Sequence, residues 1–151
     1  MCYPLLALLF PEYPKIFQCD IDHMYPATSF SKAKLMAIPQ IAQNGELLRF
    51  YLDKENWNTL PNLQLLSFSD NRSKNKRPLD VWLREVGKSD SEKDAMLLPK
   101  GEDNQYIIDF LKFKDFFEKR KKLLMKKLES ILSGSIDDTI DEIEDDDETD
   151  G

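Results

Sequence analysis

The residues able to do chemistry fall in two short stretches. The first, Phe17 to Pro26, reads FQCDIDHMYP and holds the only histidine, His23, directly after a carboxylate, Asp22. The second, Asn62 to Lys74, reads NLQLLSFSDNRSK and sets Asn71 at an expected helix start beside Arg72 and Lys74, with Lys76 just beyond. A histidine titrates near neutrality and suits a general base. Asp22 and the Asn71 side-chain carbonyl are hard oxygen donors, the kind Mg2+ or Mn2+ takes in small number while water and substrate complete the shell. Arg72, Lys74 and Lys76 are cations able to hold phosphates. Together the set suits metal-assisted hydrolysis of a phosphodiester, which needs an activated water, charge neutralisation and help for the leaving alkoxide.

Taken singly, these residues say less. A lone histidine after an aspartate is often a packing residue, and an isolated asparagine is a turn or cap residue by default. Strict strand alternation also sends Asp22 and His23 to opposite faces, so the strand must turn there if both are to reach one phosphate.

The elements that must position them are partly readable. Ile16 to Ile21 fits a short strand after a turn at 11–14. Pro26, Thr28 and Ser29 favour a loop, Ser31 is an N-cap for a short helix through Lys34 and Met36, and Pro39 is expected to stop it. Asn44-Gly45 is a turn signal before a helix carrying Leu47, Leu48, Tyr51 and Leu52. Leu63 to Leu66 is a compact apolar run suited to a buried strand. Ser67 to Asp70 offers N-caps for a helix carrying Asn71 to Lys76. Pro78 can open a further helix with Leu79, Val81, Trp82 and Val86 on its apolar side, stopped by Gly87. Residues 88–105 read as a polar surface connection.

From Phe110 to Leu132, Phe110, Phe113, Phe117, Leu124, Leu128 and Ile131 recur at helical spacing. The opposite face carries Lys114, Lys119, Arg120, Lys121, Lys122, Lys126 and Lys127, and Ser133-Gly134 is expected to end the helix. That face reads as a solvated cationic surface or as a set of phosphate contacts.

Composition bounds the rest. A chain of 151 residues suffices for one domain with a modest core. The opening MCYPLLALLF is too short to span a bilayer and lacks the basic leading region of a signal peptide, so a core helix or strand is expected. Cys2 and Cys19 stand far apart with no CxxC pair and no second histidine, which argues against zinc and against a disulfide framework. They are expected to be buried thiols of a cytoplasmic protein. The net charge of −7 hides a division: ten of the 28 acids lie in residues 135–151, an expected disordered acidic tail, and the body before it carries about +3. A mildly basic body can approach nucleic acid.

IDHMYP followed by PNLQLLSFSDNRSKNKRP resembles the HNH endonucleases of the His-Me finger (ββα-metal) superfamily. It is closest to the HNH half of two-part phage-defence restriction proteins, in which a nucleotide-hydrolysing ParB-like domain comes first. The resemblance extends through PLDVWL to the late DFFEKRKKLLMKKL helix. It implies an α+β fold, a short two-stranded hairpin plus helix surrounded by further helices, over residues 1–134. It implies a metal-dependent DNA endonuclease of restriction or antiviral defence, using Mg2+ or Mn2+. In that pattern His23 is the general base, Asp22 a metal ligand, Asn62 the middle residue bracing the loop that presents His23, and Asn71 the second metal ligand in place of a final histidine. Lys74 falls where a phosphate-contacting cation is expected. The zinc-binding cysteine scaffold of some relatives is absent, as is the ParB-like partner, so the chain is expected to be the C-terminal part of a larger protein or system. The competing expectation is a domain of the same fold that binds nucleic acid or docks a partner without turnover.

Overall fold

The computed structural model describes the backbone of residues 3–11 and 19–140, with side chains at 4–11 and 19–134. Cys2, the first residues of the expected early strand and residues 141–151 of the acidic tail lie outside the described residues.

The chain is α+β. Helix α1 (Tyr3–Leu9) leads, and strand β1 (Cys19–His23) follows. A run of short helices comes next: a 3-10 turn at Ala27–Phe30, α2 (Lys32–Met36), α3 (Pro39–Ala42), α4 (Gly45–Leu52) and α5 (Lys54–Trp57). A 3-10 turn at Leu60–Asn62 then delivers β2 (Leu63–Ser67) and, without a loop, α6 (Phe68–Lys74). Helices α7 (Leu79–Val86) and α8 (Asp90–Ala95) precede a 3-10 turn at Phe110–Lys112 and the long α9 (Phe113–Ile140). Among the described residues no helix is long and apolar enough to cross a membrane.

The two strands pair antiparallel, with Cys19 opposite Ser67, Asp20 opposite Leu66, Asp22 opposite Gln64 and His23 opposite Leu63. Leu63, Gln64, Leu65 and Leu66 are all buried, because β2 is covered on both faces. Leu63 and Leu65 pack with Leu6 and Leu9 of α1, Phe10 just after it, and Leu124 of α9. Leu66 joins the larger core of Met24, Tyr25, Phe30, Trp82, Phe113 and Phe116.

The caps explain several boundaries. Ser67 accepts the Asp70 N–H at 3.1 Å, so β2 passes into α6 through a filled N-cap. Asn44 caps α4 through the Leu47 N–H, and Gly87 closes α7 at φ +65°, a conformation that favours glycine.

Helix α2 ends at Met36, ahead of Pro39 as expected, and Pro39 itself opens α3 at its first turn, where the missing N–H has no cost. Other expectations fail for physical reasons. Residues 88–105 contain α8, held by a capping box in which Ser89 and Glu92 exchange hydrogen bonds. Ser133-Gly134 does not end α9, which continues to Ile140.

Arg120 is not on a solvated face. It is fully buried and donates to the carbonyls of Leu60, Pro61, Leu63 and Met96 at 2.8–3.3 Å. Burial pulls its pKa down to about 9, which leaves it charged at neutral pH. Lys121, Lys122 and Lys126 are exposed as expected. Lys114 and Lys119 pair with Glu46 and with Asp115 and Glu102, while Lys127 lies over the Phe10 ring.

Candidate functional site

The site is built at the end of β1, the turn before β2, and the inner side of α6. Two residues apart on a strand share a face, and Asp20 and Asp22 both turn toward α6. Asn71 donates its Nδ2–H to Asp20 Oδ2 at 3.0 Å, and the Lys74 ammonium lies 2.8 Å from Asp22 Oδ2. Gln64, opposite Asp22 in the ladder, donates to the same Oδ2 at 3.1 Å.

Lys74 is completely buried, and its ammonium also donates to the His23 carbonyl at 2.6 Å. Burial lowers its pKa, and the neighbouring Asp22 carboxylate pulls the other way. The expected phosphate-facing position is therefore corrected: this cation is committed to Asp22 and to the backbone of the strand end. Arg72 and Lys76 remain exposed and accessible.

Asn62 is buried and clamps the segment after His23. Its Oδ1 accepts the Tyr25 N–H at 2.9 Å, and its Nδ2 donates to the carbonyls of Tyr25 at 3.0 Å and Trp57 at 2.8 Å. Its own carbonyl takes the Met24 N–H at 2.8 Å. Asparagine suits this place because one planar amide offers both an acceptor and donors, the pair that an extended peptide segment needs. The Asn62 side chain thus continues the ladder for one more residue where β2 has run out.

His23 stays in the ladder, opposite Leu63, so the expected turn before it does not occur. Its ring leaves on the other face from Asp22, 6.1 Å from the Trp57 ring, with Nε2 2.8 Å from Asn58 Oδ1. Donor and acceptor roles follow the tautomer: with Nε2 protonated, Nδ1 is the basic nitrogen. The structure therefore brings Asp22, Asp20, Asn71 and Lys74 together around one side of the strand, places Asn62 as a brace, and sets His23 apart with Asn58 and Trp57.

Three participants escaped the sequence reading. Asp20 is two residues before Asp22, a spacing that strand periodicity makes informative. Gln64 could have been found from the register alone. Asn58 carried no signal, since only the turn at 60–62 brings it to His23.

The Asp22 carboxylate and the Asn71 carboxamide are hard oxygen donors of the kind a divalent cation takes, and Asp20 stands behind Asn71. Among the described residues no group of three or more His, Cys, Asp and Glu gathers as a metal cluster, so the fit rests on the Asp22 and Asn71 oxygens with Asp20 alongside. Both observed contacts to Asp22 engage Oδ2.

Cys19 is free and half-buried, in place of the full burial expected, and burial together with Asp20 pushes its thiol pKa up. No family model and no curated protein matches the chain.

Proposed function

We propose that the chain is a metal-dependent DNA endonuclease of the HNH, ββα-metal type, acting in restriction of foreign DNA. The observation that supports this reading is the order strand–strand–helix, in which β2 runs directly into α6, with Asp22 on β1, Asn62 just before β2 and Asn71 on α6. His23 would take a proton from the attacking water through its basic nitrogen, a role that requires the strand end to turn its ring to the Asp22 side when substrate binds. Asn62 would hold the strand end from which His23 projects, and Lys74 would fix the same end through the His23 carbonyl. Asp22 and Asn71 would hold the cation. When bound, Mg2+ or Mn2+ supplies charge neutralisation at the phosphate and stabilises the leaving oxygen. Arg72, Lys76 and the exposed lysines of α9 would steer the DNA. A ParB-like nucleotide-hydrolysing partner would select the target.

One observation favours a second reading, a nucleic-acid-binding or docking domain without turnover. Asp22 is engaged by the Lys74 ammonium, while His23 projects from the other strand face.

Nicking of supercoiled plasmid, with and without modified cytosine, tests the choice with Mg2+, Mn2+ or EDTA beside His23→Ala. Metal-dependent nicking that falls by about 10²–10⁴-fold in the variant is the expected result. A wild type that binds DNA and cuts none of these substrates supports the second reading.

A further inference from the structure

Asp20 is not among the residues that the proposed chemistry uses, yet it holds one of them. The Asn71 amide directs Nδ2 at Asp20 Oδ2, 3.0 Å away. An ionised carboxylate only accepts hydrogen bonds, so the amide nitrogen must face Asp20. The Asn71 carbonyl oxygen, in the same plane, is then the end of the amide turned away from Asp20.

Without Asp20 the amide would be free to present either end, because a carboxamide is nearly symmetric in shape and differs only in which end donates. A donor end turned toward a cation repels it. A carboxylate behind a ligand, orienting it by a hydrogen bond, is a recurrent arrangement at metal centres, usually with histidine in front. Asp20 is well placed for this because it leaves β1 on the same face as Asp22. The contact also spans 51 residues of sequence and ties β1 to α6.

We propose that Asp20 is a positioning residue that fixes the Asn71 amide with its carbonyl oxygen turned to the cation. This rests on the endonuclease reading above, specifically on Asp22 and Asn71 holding a divalent ion. Asp20 acts through Asn71 and need not touch the ion.

The test is Mn2+ binding, followed by electron paramagnetic resonance, in the full chain and in Asp22→Ala, Asp20→Ala and Asp20→Asn. The Asn71 side-chain amide signals of the metal-free proteins are recorded by 15N NMR in parallel. Asp20→Ala is expected to weaken Mn2+ binding by about ten- to a hundredfold and to shift the Asn71 amide signals. Asp20→Asn retains an oxygen acceptor for the Asn71 N–H and is expected to lose less. Binding by Asp20→Ala equal to wild type, while Asp22→Ala has lost it, overturns the proposal and leaves the metal site standing. Equal losses in Asp20→Ala and Asp20→Asn, with the Asn71 signals unmoved, also overturn it, because Asp20 would then act by its charge. If the wild type and Asp22→Ala bind Mn2+ alike, the metal-site reading itself fails, and the Asn71 signals alone then decide whether Asp20 orients the amide.

Discussion

Asn62→Ala is the most informative single change for the architecture of the site, because its effect can be worked out from contacts alone. The side chain is buried and makes three hydrogen bonds to backbone groups of Tyr25 and Trp57. A typical hydrogen bond contributes about 1 kcal/mol net, and a buried partner left unsatisfied costs about 1–3 kcal/mol. Three such losses, two of them at buried groups, give an expected destabilisation of about 3–5 kcal/mol, a large part of the roughly 5–15 kcal/mol that holds a small domain folded. Urea unfolding followed by tryptophan fluorescence measures it. Asn62→Asp separates hydrogen bonding from packing, since it keeps the volume but faces two carbonyls with an anion. It is expected to lose at least as much at neutral pH. Asn58→Ala removes the same residue type from an exposed contact with His23, and is expected to stay within about 0.5 kcal/mol. A loss under about 1 kcal/mol in either Asn62 variant would refute the assignment of this amide as the brace of the strand end.

Two further outcomes follow from charge and burial. Lys74→Met strands Asp22, whose side chain is only 13% exposed, and should cost about 3–5 kcal/mol in urea unfolding. Adding Asp22→Asn should recover most of that loss, and an equally unstable double variant would show that packing of the lysine stem dominates. Glu92 titrates below its ordinary value of 4.5, chiefly because the Ser89 backbone N–H donates to it, with the Ser89 hydroxyl and Lys88 adding to the effect. A carboxyl whose folded pKa is depressed contributes stability that is fully present above the unfolded value and is lost as pH falls through the folded one. The capping box should therefore open below about pH 4.5. Carboxyl NMR of Glu92 should show Ser89→Ala raising its titration point, and an ordinary midpoint in the wild type would contradict the box.

How much of this was legible in the sequence depends on whether a local signal existed. The Leu63–Leu66 run, the Ser67 cap and the Gly87 stop are local, and each appears where its chemistry places it. The Ser89–Glu92 box was equally local, yet the polar character of residues 88–105 concealed it. Pro39 shows that one residue carries opposite meanings at the two ends of a helix. Lys74 and Arg120 were unreadable for a different reason. Each sits among other cations, and only tertiary packing selects one lysine of the SKNKR run and the one arginine of the EKRKK run for burial. Asp22, His23, Asn62 and Asn71 could be singled out as candidates from sequence, but Asp20, Gln64 and Asn58 escaped, and the opposite strand faces of Asp22 and His23 needed the register to show that no turn intervenes.

The buried Arg120 has a consequence for how the protein is made. Its guanidinium grips the carbonyls of Leu60, Pro61 and Leu63 from 57–60 residues further along the chain. Those carbonyls belong to the turn that ends in Asn62. A nascent chain that has emerged as far as α8 already contains His23, Asp22, Asn62 and Asn71, but not the helix that seats their turn. Contacts of such sequence separation form late, since the intervening chain must be ordered before they repay its entropy. Incomplete chains therefore carry all the proposed catalytic residues without the helix that seats the Asn62 turn, and that turn is fixed only as α9 docks.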